Sequence, residues 1–243
     1  MTTTLLRDHD LAAAFDRGAD SYDRLVALNP GYHAHLRRSA RRLQLPGGGA
    51  GLRVLDLGCG TGASTAALLA TAPAAEIVAV DASAGMLARA AAKDWPDRVT
   101  FRQAPAEALA EAGVTGPFDA VFAAYLLRNV TDPDHVLAQV RDLLAPGGRL
   151  AVHEYTLSGS RAHRAVWAAV CRAVVQPAGT LAGDRDLYRH LRRSVVDFDT
   201  VGTLRGRLRC AGFTGVRALP MPGWPTGVLH TLLARTPRPG ETV

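Results

Sequence analysis

The chain has 243 residues, of which 48% are hydrophobic and 21% are charged, which is enough for one α/β domain with a sizeable core. No apolar stretch reaches the ~18 residues of a membrane span, and residues 1–10 lack the apolar core of a signal peptide. The three cysteines, Cys59, Cys171 and Cys210, lack the spacing of a metal site. We therefore expect reduced thiols, a cytoplasmic protein and no bound metal.

The net charge of +6 comes almost entirely from arginine. A solvated surface is the simplest interpretation, and the alternative is a face that attracts an anionic substrate or makes peripheral contact with a membrane. Aromatic residues are not interleaved as in a single-strand nucleic-acid platform, so no nucleic-acid partner is expected. Four arginines fall on each of two predicted helices: Arg37, Arg38, Arg41 and Arg42, and Arg185, Arg189, Arg192 and Arg193.

In chain order, residues 8–44 predict two or three helices, and Pro46–Gly49 is a linker. Strands and helices then alternate, which indicates a parallel sheet, and residues 160–194 have helical periodicity typical of an inserted cap. Strands are predicted at about 52–57, 76–81, 98–103, 118–124, 148–155, 213–219 and 227–234, and helices at about 62–71, 83–92 and 133–145.

The chain is thus interpreted as a single domain over residues 1–243. Its parts are N-terminal helices (1–46), a ligand-binding core (50–155), a helical cap insertion (156–200) and C-terminal strands (201–235).

A glycine loop follows the first predicted strand and carries most of the functional information. The apolar run Val54–Leu57 predicts a buried strand, and glycines 58, 60 and 62 separate it from a helix. Glycines let a ligand lie against the backbone, and a helix N-terminus offers free N–H groups to it. This arrangement is typical of a nucleotide-type site in a doubly wound sheet. The dinucleotide pattern G-x-G-x-x-G fits only in its looser form, with Ala63 last, and does not include Asp56.

A second acidic residue, Asp81, ends the next predicted strand 19 residues after Gly62. A carboxylate accepts hydrogen bonds from both hydroxyls of a ribose, so Asp81 predicts a ribose site. The same spacing would suit NAD, and Asp81 alone does not discriminate between cofactors.

Two segments narrow the choice. Residues 56–62, D-x-G-x-G-x-G, resemble motif I of class I S-adenosylmethionine (SAM) methyltransferases. Residues 127–132, LRNVTD, resemble a signature of the UbiE/MenG (Coq5-like) methyltransferases, which C-methylate quinone precursors. Weaker matches extend the resemblance over residues 13–235, including Phe15 to Asp23, which resembles the family's F-D-x-x-A-x-x-Y-D. The resemblance implies a Rossmann-like doubly wound seven-stranded sheet, the class I methyltransferase fold, with N-terminal helices and a helical cap insertion.

The resemblance also implies SAM as cofactor and assigns roles to residues. Arg128 and Asn129 follow the fourth strand, at the carboxyl edge where ligands bind, and from that position they would orient the acceptor oxygen or a water, while Tyr125 and Tyr155 are candidate hydrogen-bond donors. The alternative interpretation is that Arg128 pairs with a carboxylate and Asn129 caps a turn. His153 and Glu154 end the fifth strand on opposite faces, so at most one is expected to face the site, and no single base is chosen. Tyr22 would cover the SAM carboxylate. The other implied cofactor contacts are Asp56, Gly58, Gly60, Thr61, Asp81, Ala82, Met86, Ala106 and Ala124.

The sequence departs from the family pattern at three places. Pro105-Ala106 replaces an Asp or Asn before Ala at the adenine position, Tyr125-Leu126 replaces Phe-Gly, and residues 223–228 replace Gly-Gly-Ile-Val-Ala. These changes favour an acceptor different from that of the dedicated menaquinone enzymes.

The predicted reaction is methyl transfer to carbon, or oxygen, of a small aromatic, quinone-like or specialised-metabolite acceptor. The acceptor would be apolar with a polar or anionic end. The alternative is a methyltransferase fold repurposed as a SAM-requiring cyclase, a lyase or a binding protein. A nicotinamide-dependent reductase is disfavoured by Asp56 and the Leu-Arg-Asn-Val segment.

Overall fold

The computed structural model describes residues 31–175 and 185–241, together with Ala13, Phe15 and Asp16. Seven strands form one sheet in these residues: β1 Arg53–Leu57, β2 Glu76–Asp81, β3 Val99–Gln103, β4 Phe118–Ala124, β5 Leu144–Tyr155, β6 Thr214–Pro220 and β7 Leu229–Arg235. The helices are α1 Tyr32–Arg42, α2 Ala63–Leu69, α3 Ala84–Ala91, α4 Pro133–Leu143, α5 Arg161–Val170, α6 Arg185–Asp197 and α7 Val201–Cys210. A π-helical turn, Cys171–Val175, follows α5.

The strand order is β3-β2-β1-β4-β5-β7-β6, so the chain reverses its direction of travel across the sheet between β1 and β4. Strands β1 to β5 are parallel, and β7 is antiparallel to both β5 and β6. Leu57 pairs with Val80 and with Ala123, which brings the carboxyl ends of β1, β2 and β4 to one edge. Ligands bind at such a switch point in open α/β sheets. The predicted doubly wound, seven-stranded sheet is confirmed.

Local chemistry accounts for the helix starts along this edge. The Ser83 hydroxyl accepts from the Met86 N–H at 3.0 Å, and an Asp132 carboxylate oxygen accepts from the His135 N–H at 3.0 Å. Both are N-cap contacts that satisfy amides left unpaired at the start of a helix. Gly62 supplies the left-handed backbone before α2, with φ of 89°.

The structure differs from the predicted elements in three places. Helix α4 ends at Leu143, and β5 begins at Leu144 rather than near 148. Its pairing with β4 shifts register between Phe118 and Ala120, because Pro146 lacks an N–H and Gly147 has φ of 76°. Helix α7 lies where no element was predicted. Of the helices predicted over 8–44, α1 is described in full, and the remainder lies outside the described residues apart from three positions.

Apolar side chains fill both faces of the sheet. One buried cluster includes Leu36, Leu68 and Phe122, between the sheet and helices α1 and α2. A second includes Phe213 and joins the other face to α4 and α7. A third, around Trp167, holds helices α5 and α6 against the ends of β5 and β7. Among the residues described, no helix has the length and apolar composition needed to cross a membrane.

Candidate active site

The three glycines of the loop after β1 all have left-handed backbone conformations, but their surroundings differ. The φ values are 77° at Gly58, 54° at Gly60 and 89° at Gly62. A β-carbon on Gly58 would lie 3.0 Å from Leu126 Cδ1, and one on Gly62 would lie 2.7 Å from the Trp95 ring. At Gly60 nothing lies within 4 Å. The loop is therefore packed at both ends and open in the middle, as a backbone cradle for a ligand requires.

Asp81 stands at the carboxyl end of β2, beside this loop. Its Oδ2 accepts from the Gly60 N–H at 2.7 Å, and its Oδ1 accepts from the Ser83 N–H at 2.9 Å. Burial raises the pKa of Asp81, while these backbone bonds act in the opposite direction. A carboxylate retains further lone pairs after accepting two bonds, so Asp81 is equipped to accept from ribose hydroxyls.

Asp56 lies beneath the loop. It is fully buried, and its Oδ2 accepts from the hydroxyls of Ser64 at 2.8 Å and Thr65 at 2.6 Å. Its Oδ1 has no hydrogen-bond partner among the described residues. Burial raises the pKa of Asp56 to about 7, against the effect of the two hydroxyls. These contacts join the end of β1 to the start of α2, so Asp56 holds the two ends of the glycine loop in place.

The remaining residues of the predicted cofactor set fall near the same edge. Thr61 is buried, and its carbonyl accepts from Lys93 Nζ at 2.7 Å. Ala82 and Met86 follow Asp81 into α3, and Ala124 is the last residue of β4. The Ala106 carbonyl accepts from Gln139 at 3.5 Å. Tyr22 lies outside the described residues.

Sequence reasoning gave no role to Asp16, which the structure brings to the cofactor edge. Its Oδ1 accepts from the Gly85 N–H at 2.9 Å and from the Ser83 hydroxyl. Asp16 thus binds the first turn of α3, the helix that follows Asp81. An acidic residue is favoured at such a helix start, but the sequence does not show which helix Asp16 would meet.

On the other side of the switch point, Arg128 and Glu154 form a buried ion pair. The Arg128 Nη1 to Glu154 Oε1 distance is 2.5 Å, and the side chains are 7% and 0% exposed. Glu154 also accepts from the Tyr155 N–H at 3.0 Å. Burial raises the pKa of Glu154, and Arg128 opposes this rise. The guanidinium lies 5.5 Å and 5.7 Å from the ring centroids of Tyr125 and Tyr155, which fixes its orientation further.

Asn129 links the turn after β4 to the cap. Its Nδ2 donates to the Tyr125 carbonyl at 2.9 Å, and its Oδ1 lies 3.1 Å from Nε2 of His190 in α6. These contacts and the Arg128–Glu154 pair agree with the structural interpretation, in which Arg128 pairs with a carboxylate and Asn129 caps a turn. They also hold both residues at the edge where a ligand would bind, and their catalytic roles stay predictions.

Tyr125 is held in an unusual conformation immediately after β4. Its φ is 57°, and its N–H donates to the His153 carbonyl at 2.8 Å. Its ring lies between Tyr32, stacked at 5.6 Å, and Tyr155, tilted at 5.1 Å. Its hydroxyl lies 3.1 Å from His153 Nε2. Burial lowers the pKa of His153 to about 3, so this imidazole is neutral at physiological pH.

His153 and Glu154 have different partners, as the alternation of a strand requires. Glu154 binds Arg128, and His153 binds the Tyr125 hydroxyl and, through Nδ1, the Ser39 hydroxyl at 2.7 Å. Both side chains therefore support the turn after β4, and the expectation that at most one of them faces the site stays a prediction. Ser39 was missed because it lies in α1, and only the fold brings it to β5.

The comparisons with known proteins agree with this geometry. A model of the ubiE/COQ5 methyltransferase family matches residues 3–224. The ubiquinone/menaquinone biosynthesis C-methyltransferase UbiE of Syntrophotalea carbinolica is 35% identical over 218 residues, covering 88% of this chain and 90% of its own. The demethylmenaquinone methyltransferase of Thermus thermophilus is 35% identical over 201 residues, covering 82% and 91%.

Solved structures share the fold at lower identity. A SAM-dependent methyltransferase from Thermotoga maritima, described as a possible histamine N-methyltransferase, superposes with a TM-score of 0.64 at 20% identity, covering 93% of this chain and 99% of its own. The [4+2]-cyclase SpnF superposes with a TM-score of 0.68 at 18% identity, covering 97% and 98%.

The strand order, the glycine loop at the switch point and the acidic end of β2 define a class I methyltransferase. The chain belongs to the ubiE/COQ5 methyltransferase family, and it is an enzyme whose cofactor is SAM. No cluster of three His, Cys, Asp or Glu side chains suited to a metal ion occurs in the part of the chain that the structure describes.

Proposed function

We propose that this enzyme transfers the methyl group of SAM to a ring carbon of a hydroxylated, quinone-like aromatic acceptor. One observation carries the proposal: the buried Arg128–Glu154 pair stands against the faces of two aromatic rings, one strand away from the glycine loop. A cation beside aromatic rings suits a flat acceptor with an oxygen that becomes anionic.

The residues of the cofactor side fit SAM. The open face of Gly60 gives room for the methionine part, and Asp81 has acceptor capacity for the ribose hydroxyls. Ala106 would face the adenine, and Tyr22 would cover the carboxylate. When bound, SAM supplies an electrophilic methyl group on its sulfonium. The protein must then hold the acceptor in line with that group and help one proton to leave.

The acceptor side supplies a continuous aromatic wall. The rings of Tyr32, Tyr125, Tyr155 and Trp167 follow one another at centroid distances of 5.6, 5.1 and 5.1 Å. A planar acceptor would contact this row at Tyr125, because the other three rings are buried. Arg128, oriented by Glu154, would hold the acceptor oxygen or a water bonded to it. A phenolic oxygen that is stabilised as an anion activates the neighbouring ring carbons toward the methyl group.

Leu126 departs from the family pattern described above, in which this position is glycine. The Leu126 side chain lies over Gly58 of the cofactor loop. The larger side chain would narrow the space beside the cofactor loop. We therefore propose an acceptor with a less bulky ring than the naphthoquinols.

The alternative function is a fold that needs SAM but transfers no methyl group. The fold does not separate the two, because a similar solved structure is described as a [4+2]-cyclase. The difference lies in the fate of the methyl group, which labelling measures directly.

The test uses the full chain, SAM with a 13C-labelled methyl group, and a panel of benzoquinols, naphthoquinols and catechols. We expect label on a ring carbon of at least one acceptor, which the carbon shift separates from a methoxy group. Asp81→Ala should lower the transfer at a SAM concentration near the wild-type Kd and serves as the control for cofactor dependence. SAM binding by calorimetry, without labelled product from any phenolic acceptor, would favour the repurposed fold.

A further inference from the structure

A chain of polar side chains runs behind Tyr125 through the middle of the molecule. The Tyr125 hydroxyl lies 3.1 Å from His153 Nε2, and His153 Nδ1 lies 2.7 Å from the Ser39 hydroxyl. The Ser39 and Thr231 hydroxyl oxygens are 2.5 Å apart, and Arg42 Nη1 donates to the Thr231 hydroxyl at 2.7 Å. Three members, Ser39, His153 and Thr231, are fully buried. The residues come from α1, β5, β7 and the turn after β4, so the fold assembles this hydrogen-bond chain.

The direction of these hydrogen bonds follows from counting donors and acceptors. Arg42 is a donor only, so the Thr231 oxygen accepts from it. The proton of the Thr231 hydroxyl then needs an acceptor, and among its contacts only the Ser39 oxygen can accept it. Ser39 in turn donates its proton to His153 Nδ1. The opposite direction would leave the Thr231 proton without an acceptor at a fully buried position, which is costly.

This direction fixes the state of the last two members. A neutral imidazole has one protonated nitrogen, and Nδ1 accepts, so the proton lies on Nε2. Nε2 therefore donates to the Tyr125 oxygen. The Tyr125 hydroxyl proton is then not donated to any member of this hydrogen-bond chain. Tyr125 is half-buried as a residue, and it follows the carboxyl end of β4 directly.

We propose that Arg42 orients a one-way hydrogen-bond chain through Thr231, Ser39 and His153, which leaves the Tyr125 hydroxyl as a donor to the acceptor oxygen. The donation to an acceptor rests on the proposed function, whereas the direction of the chain does not. His153 is a positioning residue in this arrangement, and Tyr125 is the group that touches the acceptor. Together with Arg128, Tyr125 would supply a second contact to the oxygen that becomes anionic.

The direction is tested by nitrogen NMR of the full chain with 15N-labelled histidine. The chain has eight histidines, and loss of one set of signals in His153→Leu assigns those of His153. We expect Nε2 protonated and Nδ1 unprotonated at pH 7. A proton on Nδ1, or on both nitrogens, would overturn the proposal whatever the acceptor is.

The role in turnover is tested with the acceptor found in the labelling experiment. Tyr125→Phe should lower kcat about 100-fold, the usual effect of losing one preorganised donor, with the Kd for SAM unchanged. His153→Leu should lower kcat about tenfold, and His153→Gln, whose amide can still donate to Tyr125, should recover most of that loss. In the Tyr125→Phe background, His153→Leu should have no further effect, because the two residues act through one hydroxyl.

Thr236→Val is the matched control for Thr231→Val. Both substitutions remove a buried threonine hydroxyl, but the Thr236 hydroxyl donates to the Ala145 carbonyl and does not belong to the hydrogen-bond chain. Thr231→Val should lower kcat, and Thr236→Val should not. Equal losses in the two valine variants, or a full additional loss from His153→Leu in the Tyr125→Phe background, would make these residues structural only and overturn the positioning role. If no phenolic acceptor is methylated, the proposed function fails, while the NMR result still decides the direction of the chain.

Discussion

The cofactor side and the acceptor side of this site are built from different parts of the protein. On the cofactor side, the contacts come from the backbone of the glycine loop and from Asp81, which lie close together in the chain. On the acceptor side, the turn after β4 is supported by side chains from α1, β5, β7 and α6. The first is a short stretch folded on itself, and the second is an assembly of distant residues.

This difference indicates how each side responds to substitution. A backbone cradle tolerates many side-chain changes but not an added β-carbon at its open glycine. A buried polar network depends on each partner, because removing one leaves the others unsatisfied. The cofactor side is therefore suited to stay constant within a family, while the acceptor side can change its specificity by exchanging a coupled group of side chains.

The largest expected effect is the loss of SAM binding in Gly60→Val. The branched side chain would occupy the open space of the cradle and force an unfavourable backbone angle. Gly51→Val is a matched control, because Gly51 also has a left-handed φ, 72°, and open space, but precedes the amino end of β1. Calorimetry should show no SAM binding for the first and normal binding for the second. Equal behaviour of the two variants would mean that the loop is not the cradle.

Asp56→Asn should change the pH dependence of stability. The pKa of Asp56 is raised to about 7 in the folded state, against about 3.9 when unfolded. Between these values the folded state binds more protons, so stability falls as the pH rises from about 4 to 7. The effect amounts to at most about 4 kcal/mol, at 1.36 kcal/mol per pKa unit.

The measurement is urea unfolding of wild type and Asp56→Asn from pH 4 to 8. The buried His153 acts in the opposite direction, because its pKa is lowered to about 3 and its contribution is lost as the pH falls below about 6.5. Only the difference in the free energy of unfolding between the two proteins isolates the effect of Asp56. As the pH rises, the asparagine variant should become more stable relative to wild type. A difference that does not vary with pH would show that Asp56 titrates as it does in the unfolded chain.

On the acceptor side, loss of Arg128 should lower kcat about 100-fold while the Kd for SAM stays constant. Removing Arg128 alone would leave Glu154 buried and unpaired, at a cost of about 3–5 kcal/mol. The better variant is therefore Arg128→Met with Glu154→Gln, which removes both charges. Arg207→Met with Asp199→Asn removes another ion pair, between helix α7 and the segment before it, and is the control.

Three measurements on these paired variants separate the interpretations. Single-turnover rate, SAM affinity and melting temperature should show a rate loss alone in the Arg128 pair. If SAM affinity and rate fall together with stability, Arg128 has a structural role. Wild-type turnover in the Arg128 pair would exclude it from the acceptor site.

Asp81→Ala should weaken SAM binding by about 1.5–3 kcal/mol, or roughly 10- to 150-fold, because charge-assisted bonds to the ribose are lost. Glu76→Ala, at the exposed opposite end of β2, should have no effect. Calorimetry decides, and unchanged SAM affinity in Asp81→Ala would exclude Asp81 from the ribose site.

The same contrast explains what the sequence could predict. The seven strands follow from apolar runs along the chain, and the cofactor loop follows from the glycines and the acid within residues 54–81, because each of these signals is local. The supports of Tyr125 were not predictable, because Ser39, His153 and Thr231 are separated by long stretches of sequence and meet only through the order of β5 and β7. The start of β5 was misplaced because Pro146 and Gly147, which are typical of the turn after a helix, lie here within the irregular first residues of the strand.

The smallest expected effect concerns Asp16, which extends the cofactor side beyond its local stretch. Its carboxylate accepts from the Gly85 N–H and from the Ser83 hydroxyl at the start of α3, next to Asp81. A capping contact of this kind is worth about 1 kcal/mol. Asp16→Ala should therefore weaken SAM binding about fivefold, because the turn that carries Ala82 is less well held. Asp16→Asn keeps an oxygen acceptor and should recover most of the affinity, and Asp94→Ala, at an exposed position, should have no effect. An unchanged Kd for SAM in Asp16→Ala would confine the cofactor side to the residues between β1 and α3.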